Sequence, residues 1–152
     1  MQKKITAPIR SRYDHFGNSV DISENYVIVG SYCEDEDFNE SNNIEDAGSA
    51  YIYFRNQDGT DNWGLQKKIT APIRAYHDNF GRDVAISGDY AIVGAPLEDE
   101  DEIDEYGSRN TGSVYFVERR KALQYRSNAT NRFGLAKLTR QHKLEQFNYA
   151  SR

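Results

Sequence analysis

Residues 80–96 read FGRDVAISGDYAIVGAP, two short apolar runs separated by a turn. In the first run Val84 and Ile86 alternate with other residues, which is the two-residue period of a β-strand. The second run, residues 90–93, is more continuous. Gly88 lies between the runs, and glycine accepts the positive φ angles that a tight hairpin needs. The stretch therefore predicts a β-hairpin.

This hairpin stretch has a second copy 64 residues earlier in the chain. Residues 16–30 read FGNSVDISENYVIVG, and QKKITAPIR occurs unchanged at residues 2–10 and 66–74. The two copies align without a gap from residue 2 to about residue 53. A period of this length suits a four-stranded propeller blade with one long loop. The sequence predicts an all-β fold of two four-stranded antiparallel blades, a partial β-propeller.

The repeat also divides the chain into units. Strands are expected at residues 16–23, 26–31, 48–55 and 63–70, and again at 80–87, 90–96 and 111–118. Residues 16–79 then form one blade, residues 80–118 form the first three strands of the next, and residues 1–15 supply the fourth strand and loop of a preceding blade.

The segment 119–152 departs from the repeat and is basic. It holds nine Lys and Arg residues, whereas the whole chain has a net charge of −5. Two interpretations stay open for it: a helix over about residues 132–147, or a degenerate fourth strand near Phe133-Gly134-Leu135, which is similar to Trp63-Gly64-Leu65. A basic tail can bind nucleic acid, but contact with the acidic loops of the same chain is the simpler interpretation. We expect no nucleic-acid partner and no membrane insertion, since no apolar run approaches 18 residues.

Several motifs together carry a resemblance to a known family. They are Phe16-Gly17, Phe80-Gly81, Gly94-Ala95-Pro96 and the Gly-Ser-x-Tyr sequences that begin at Gly48 and Gly112. The set resembles the FG-GAP repeat, the blade unit of integrin α-subunit propellers and of many bacterial surface proteins. It covers about residues 2–117, although the first unit has Gly30-Ser31-Tyr32 in place of Gly-Ala-Pro. The resemblance implies an extracellular or cell-surface location, although this chain shows no signal peptide.

Blade packing sets further expectations. Gly17, Gly30, Gly81 and Gly94 are expected to let neighbouring backbones approach, while the Phe of each Phe-Gly pair fills the space between blades. A blade has two apolar faces, and stacked repeats usually need about three or more units. We therefore expect other propeller blades as partners, in the same chain or in homo-oligomers, unless the C-terminal segment covers the open faces.

Two acidic loops are the predicted binding site, and both follow the second strand of a unit. The predicted residues are Glu34, Asp35, Glu36, Asp37, Glu98, Asp99, Glu100 and Asp101. The resemblance implies that this rim faces a protein or glycan ligand. Clustered carboxylates can also hold Ca²⁺, but neither loop has the spaced D-x-D-x-D-G pattern, and a solvated loop is the plain alternative. The family's own calcium loop lies in the first hairpin, which here is too short to surround a cation, so that site is not transferred and no other cofactor is expected.

No catalytic constellation is visible in the sequence. His15 and His77 occupy different positions of the repeat, Cys33 has no recurring His partner, and no phosphate-binding or hydrolase motif occurs. Asp14 and Asp78 are equivalent and predict side-chain-capped turns. We expect a non-enzymatic binding or adhesion module; the alternatives are a calcium-dependent structural module and an accessory domain of a larger surface enzyme.

Overall fold

The computed structural model describes residues 2–36, 43–99, 111–119 and 136–137, and this part of the chain is all-β. The strands are β1 (Val20–Ser23), β2 (Tyr26–Ser31), β3 (Ser49–Phe54), β4 (Gly64–Ile69), β5 (Val84–Ser87), β6 (Tyr90–Ala95), β7 (Ser113–Glu118) and β8 (Ala136–Lys137). They form two antiparallel sheets in the orders β1-β2-β3-β4 and β5-β6-β7-β8, here called blade 1 and blade 2. The predicted fold class is confirmed.

The first hairpin has the same register in both blades. Val20 lies opposite Val29, and Val84 lies opposite Val93. The first strands begin four residues later than predicted, because the Phe-Gly pair forms a turn ahead of the strand: Gly17 has φ 90° and donates its N–H to the carbonyl of Gly30. That φ is open to glycine and costly for other residues.

The fourth strand differs between the blades. In blade 1, β4 pairs with β3 from Phe54↔Gly64 to Ala50↔Ile69, with a bulge between Ile52 and Tyr53. In blade 2, β8 contributes two pairs, and Tyr115↔Lys137 matches the Tyr51↔Lys68 pair of blade 1. These two residues agree with the interpretation of a degenerate fourth strand. The rest of that prediction, and the alternative helix, lie outside the described residues.

The main core lies between the two blades. It joins one face of blade 1 to the opposing face of blade 2. Its buried members are Ile28, Ala50, Ile52, Ile69, Ala71, Phe80, Ile86, Ala91, Val93, Ala95, Tyr115 and Val117. Phe80 is fully buried and its ring meets that of Tyr115 edge-on at 5.3 Å between centroids. The prediction that Phe80 fills the space between blades is confirmed.

Glycine makes this close packing possible at two predicted positions. A Cβ on Gly30 would lie 2.0 Å from the carbonyl oxygen of Gly81, and a Cβ on Gly81 would lie 2.1 Å from that of Ser49. Gly17 and Gly94, on the outward faces, have no such neighbour: Gly17 meets nothing within 4 Å and Gly94 meets Asp83 atoms at 3.7 Å or more. Close approach is therefore confirmed for Gly30 and Gly81.

A second, smaller core covers the outer face of blade 1. Ala7 is buried there with Val29, Tyr51 and Tyr53, and Ile5 packs against them. Ala71, which is equivalent to Ala7, packs in the same way against blade 2. Residues 2–7 thus pack against blade 1 in the way that residues 66–71, at the end of blade 1, pack against blade 2. Their assignment to the fourth strand of a preceding blade stays a prediction, since the structure describes no strand there.

Candidate ligand-facing rim

The predicted loops lie at one end of both blades. β2 and β4 end on the same side of blade 1, because each runs antiparallel to β3. The loops that follow β2 and β6 therefore share this end with the connection between β4 and β5, residues 70–83. We call this end the rim.

Two of the predicted acidic residues are buried. Glu34 accepts hydrogen bonds from the hydroxyl of Tyr51 at 2.5 and 2.6 Å, and Glu98 accepts them from Tyr115 at 2.7 Å to each oxygen. Both glutamates are almost fully buried. Burial leaves them no surface for a ligand, so the structure does not support their place in the predicted binding set.

Electrostatics around Glu34 reflect this burial. Lys68 forms a buried ion pair with it. Burial raises the pKa of the Glu34 carboxyl, and the hydrogen bonds from Lys68 and Tyr51 only partly oppose that effect. Desolvation penalises a carboxylate more than pairing restores. Glu34 is thus an anchor for the loop that follows β2.

The neighbouring predicted residues take different roles. Asp35 caps the returning loop, since its Oδ1 accepts the N–H of Asp46 at 2.9 Å, and its carbonyl accepts from Ile44 and Arg74. Glu36 accepts from the Ser11 hydroxyl at 3.1 Å. Asp99 is exposed. Of the predicted binding residues, Asp37, Glu100 and Asp101 lie outside the described residues.

The returning half of the first long loop is attached to the connection between the blades. His77, Asn79 and Phe80 donate their backbone N–H groups at 3.0 Å to the carbonyls of residues 45, 46 and 47 respectively. Asp78 caps the turn before them by accepting the N–H of Ala75 at 2.7 Å. Asp14 does the same for Ser11 at 2.6 Å. The predicted capped turns are confirmed, and they fix the side chains of the connection at the rim.

These turns expose apolar and aromatic side chains that sequence reasoning did not select. Tyr76 is 62% exposed and Ile73 is 60% exposed. The Tyr76 ring stacks on that of His77 at 3.7 Å, and His77 Nε2 lies 3.4 Å from Asp46 Oδ2 and 3.9 Å from Glu45 Oε1. One sequence feature could have identified them: a large apolar residue lies on each side of Arg74-Ala75, in a segment without the alternation of a strand.

A half-buried thiol lies below this surface. Burial, a hydrogen bond to Asp46 and the charge of Asp46 raise the pKa of Cys33 to about 11. The adjacent Tyr32 ring stacks on His15 at 5.1 Å and lies under the Arg82 guanidinium at 5.4 Å. A thiol with a raised pKa is a poor nucleophile, so these surroundings do not activate Cys33.

The described part of the chain contains no group of three His, Cys, Asp or Glu side chains placed to hold a metal ion. The hairpin between β1 and β2 is formed by Glu24 and Asn25 alone. Among the described residues, no helix is long and apolar enough to cross a membrane.

A family model supports the resemblance seen in the motifs. The model described as FG-GAP repeat matches residues 1–53 and 63–117. The chain belongs to the FG-GAP repeat family. Each matched FG-GAP unit begins near the Lys-Lys-Ile-Thr-Ala-Pro sequence and ends in the third strand, so the repeat in sequence is offset from the blade in space. FG-GAP repeats are typical of extracellular proteins. No curated protein matches this chain.

Proposed function

We propose that this chain is a non-enzymatic binding module of a cell-surface β-propeller, which presents its rim to a protein or glycan ligand. The observation that carries the proposal is the exposed Ile73 and Tyr76 on a fixed turn of the rim. A rigid, exposed aromatic ring supplies contact area at low entropic cost, which is why tyrosine is enriched in binding surfaces.

The charges beside this ring narrow the class of ligand. Glu45 lies next to His77 and has a largely exposed side chain, and Asp46 and Glu36 are partly exposed. Carboxylates repel the phosphate backbone of nucleic acid, whereas they accept hydrogen bonds from sugar hydroxyls and pair with basic side chains. We therefore propose a glycan or a basic protein surface in place of a nucleic acid.

A binding screen with matched variants tests the proposal. The full chain is applied to glycans and to basic peptides, and the strongest ligand is then measured by calorimetry. Tyr76→Ala should weaken binding by about ten-fold or more, since aromatic contacts at an interface contribute over 1 kcal/mol. Tyr90→Ala is the matched control, because Tyr90 is 60% exposed but starts β6 at the opposite end of the blade.

Two outcomes would count against this assignment. Equal affinity of Tyr76→Ala and the original chain for every ligand found would place binding elsewhere. A rise in Tm on adding calcium, reversed by a chelator, would instead favour the calcium-dependent structural module. No rise would leave the binding proposal as the better explanation of the exposed rim.

A further inference from the structure

Blade 2 exposes the face that blade 1 buries. Ile28, Ala50 and Ile52 of blade 1 are 0–1% exposed beneath blade 2. Their equivalents 64 residues later, Ile92, Val114 and Phe116, are 38%, 45% and 40% exposed. We call these three residues the open face of blade 2.

Blade 1 exposes the complementary surface. Ile86 of β5 is buried in the joint between the blades, whereas the equivalent Ile22 of β1 is 61% exposed. Val20, equivalent to Val84, is exposed as well. The chain thus leaves β1 and the open face of blade 2 uncovered, although the residues equivalent to them meet in its own inter-blade joint. We propose that two copies of this chain associate head to tail, the open face of blade 2 of one copy packing on β1 of the next.

Hydrogen bonds between the first strands of the two blades support this head-to-tail packing. Within the chain, side chains of blade 1 accept the backbone N–H groups along one edge of β5: Ser19 accepts from Val84 at 3.1 Å, Asp21 from Ile86 at 2.7 Å, and Ser23 from Gly88 at 3.1 Å. The equivalent acceptors on blade 2 would be residues 83, 85 and 87.

A similar set of hydrogen bonds can form between two copies. Asp83 and Ser87 can accept from the N–H groups of Val20 and Glu24 in the next copy. Ala85 has no acceptor, but the N–H that it would face, that of Ile22, already donates to Asp21 Oδ1 at 2.8 Å. The one missing acceptor therefore coincides with the one donor that is satisfied locally, and no strand-edge N–H is left without a partner.

Gly94 gives independent support for a joint between two copies. Its equivalent, Gly30, must be glycine because a Cβ would strike Gly81 across the joint. At Gly94 a Cβ would meet only Asp83 atoms of its own blade, at ordinary contact distance, and its φ is not in the left-handed region. Nothing described within the chain requires glycine there, whereas a second copy would bring its own Gly17 to that place.

The fourth strand of the blade also fits the proposed joint between copies. Residues 2–7 lie on blade 1 in the place that residues 66–71 occupy on blade 2. In the joint between copies they reach the edge of β7, with Lys4 at the position that Lys68 holds beside β3. Five pairs join β3 to β4 and two join β7 to β8. Residues 2–6 of the next copy would thus take the place beside β7 that β4 takes beside β3.

Sedimentation of variants of the full chain tests this joint. The original chain should form oligomers whose fraction rises with concentration, of about two to four copies if the ring closes at four to eight blades. Gly94→Ala should fold normally and raise the dissociation constant by about 100-fold or more, because its Cβ would strike the next copy's backbone. Ile22→Lys should do the same from the other side. Ile73→Lys is the matched control, since Ile73 is equally exposed but lies on the rim.

A mixing experiment separates head-to-tail pairing from other modes. Gly94→Ala leaves β1 intact and Ile22→Lys leaves the open face intact, so the two variants mixed should form a 1:1 pair that neither forms alone. Amides of residues 2–6, 20–24 and 114–116 should gain protection from hydrogen exchange on association.

Other results overturn the proposal. A chain that stays monomeric at every concentration would show that a segment of the same chain covers the open face. Association of Gly94→Ala as strong as that of the original chain, or no pairing in the mixture, would refute this joint. Ligand binding at the rim is measured separately, so its loss in Ile73→Lys with association intact would distinguish the two proposals.

Discussion

The hydroxyl of Tyr51 donates to the carboxylate of Glu34, with 2.5 and 2.6 Å to its two oxygens, inside blade 1. Seventeen residues separate the two, and the same separation joins Tyr115 to Glu98 in blade 2. Each pair ties the third strand of its blade to the start of the long loop at the rim. The repeat has therefore duplicated a buried polar contact together with the strands.

Removal of this hydroxyl should destabilise blade 1. Tyr51→Phe leaves a buried carboxylate without one of its donors, which costs about 1–3 kcal/mol. Urea unfolding measures the change. Tyr13→Phe is the control, since Tyr13 is largely exposed, and it should stay within about 0.5 kcal/mol of the original chain. Equal midpoints for the two variants would contradict the structural role of the contact.

The raised pKa of Glu34 should appear in the pH dependence of stability. Burial disfavours the charged form in the folded state, so the contribution of this group is most favourable below the ordinary pKa of 4.5 and is lost as pH rises through the folded pKa. Glu34→Gln is neutral at every pH. The free energy of unfolding of the original chain, minus that of Glu34→Gln, should therefore fall as the pH rises above the ordinary pKa of 4.5. Parallel pH curves for the original chain and Glu34→Gln would refute the raised pKa.

Substitution by alanine should destabilise the chain strongly at Gly30 and hardly at all at Gly94. Gly30→Ala places a methyl group 2.0 Å from the Gly81 carbonyl oxygen, so blade 2 must move away. We expect a loss of about 3 kcal/mol or more in the free energy of unfolding. For Gly94→Ala, measured at a concentration too low for association, we expect a change within about 0.5 kcal/mol. Similar losses for both would show that strand geometry, and not the joint, selects glycine.

The side chain of Asp21 should matter more than its position on the edge strand β1 suggests. It bridges the blades by accepting the N–H of Ile86 at 2.7 Å, and Ile86 is buried. Asp21→Ala should cost about 1.5–3 kcal/mol, because a hydrogen bond to a charged group is lost and a buried donor is left unpaired. Asp83→Ala, at an exposed position on the outward side of blade 2, is the control, measured at a concentration too low for association. Chemical denaturation that gives the same value for both would contradict the bridging role.

Cys33 should react slowly with thiol reagents in the folded protein. With its pKa raised to about 11 from the ordinary value of 9.0, the thiolate fraction of Cys33 at pH 8 falls about 100-fold. Labelling by an alkylating reagent should accelerate by at least that factor when the chain is unfolded in urea. Asp46→Asn removes a charge that raises the pKa of Cys33, so it should accelerate labelling in the folded state. A folded rate close to the unfolded rate would refute the buried, protonated thiol.

Local sequence signals predicted the strands well, because their causes are local. Alternation at Val84 and Ile86 fixed the strand, and Gly88 fixed the turn. The capped turns at Asp14 and Asp78 were predicted for the same reason, since a carboxylate and an N–H three residues apart need no tertiary contact. The starts of β1 and β5 were placed too early because each Phe-Gly pair forms a turn ahead of its strand, with the glycine at a positive φ.

The roles of the acidic residues after β2 could not be predicted from the sequence. Glu34 and Asp35 are adjacent carboxylates in one polar loop, and nothing in their spacing separates them. Burial separates them, since Glu34 lies beneath Tyr51 and Lys68 from two other strands, while Asp35 caps its own loop. The exposed Tyr76 was missed for the converse reason, because an aromatic residue in a loop predicts burial as readily as exposure.

The sequence by itself therefore determined the repeat, its hairpins and its family, since each depends on residues near one another or on a 64-residue identity. Only the tertiary structure decided which copy of each repeated residue is buried. Phe80 and Gly30 lie in the joint between the blades, whereas the ring of Phe16 is only partly covered and Gly94 faces outward. Identical local sequences take different environments because burial depends on the neighbour that packs against them.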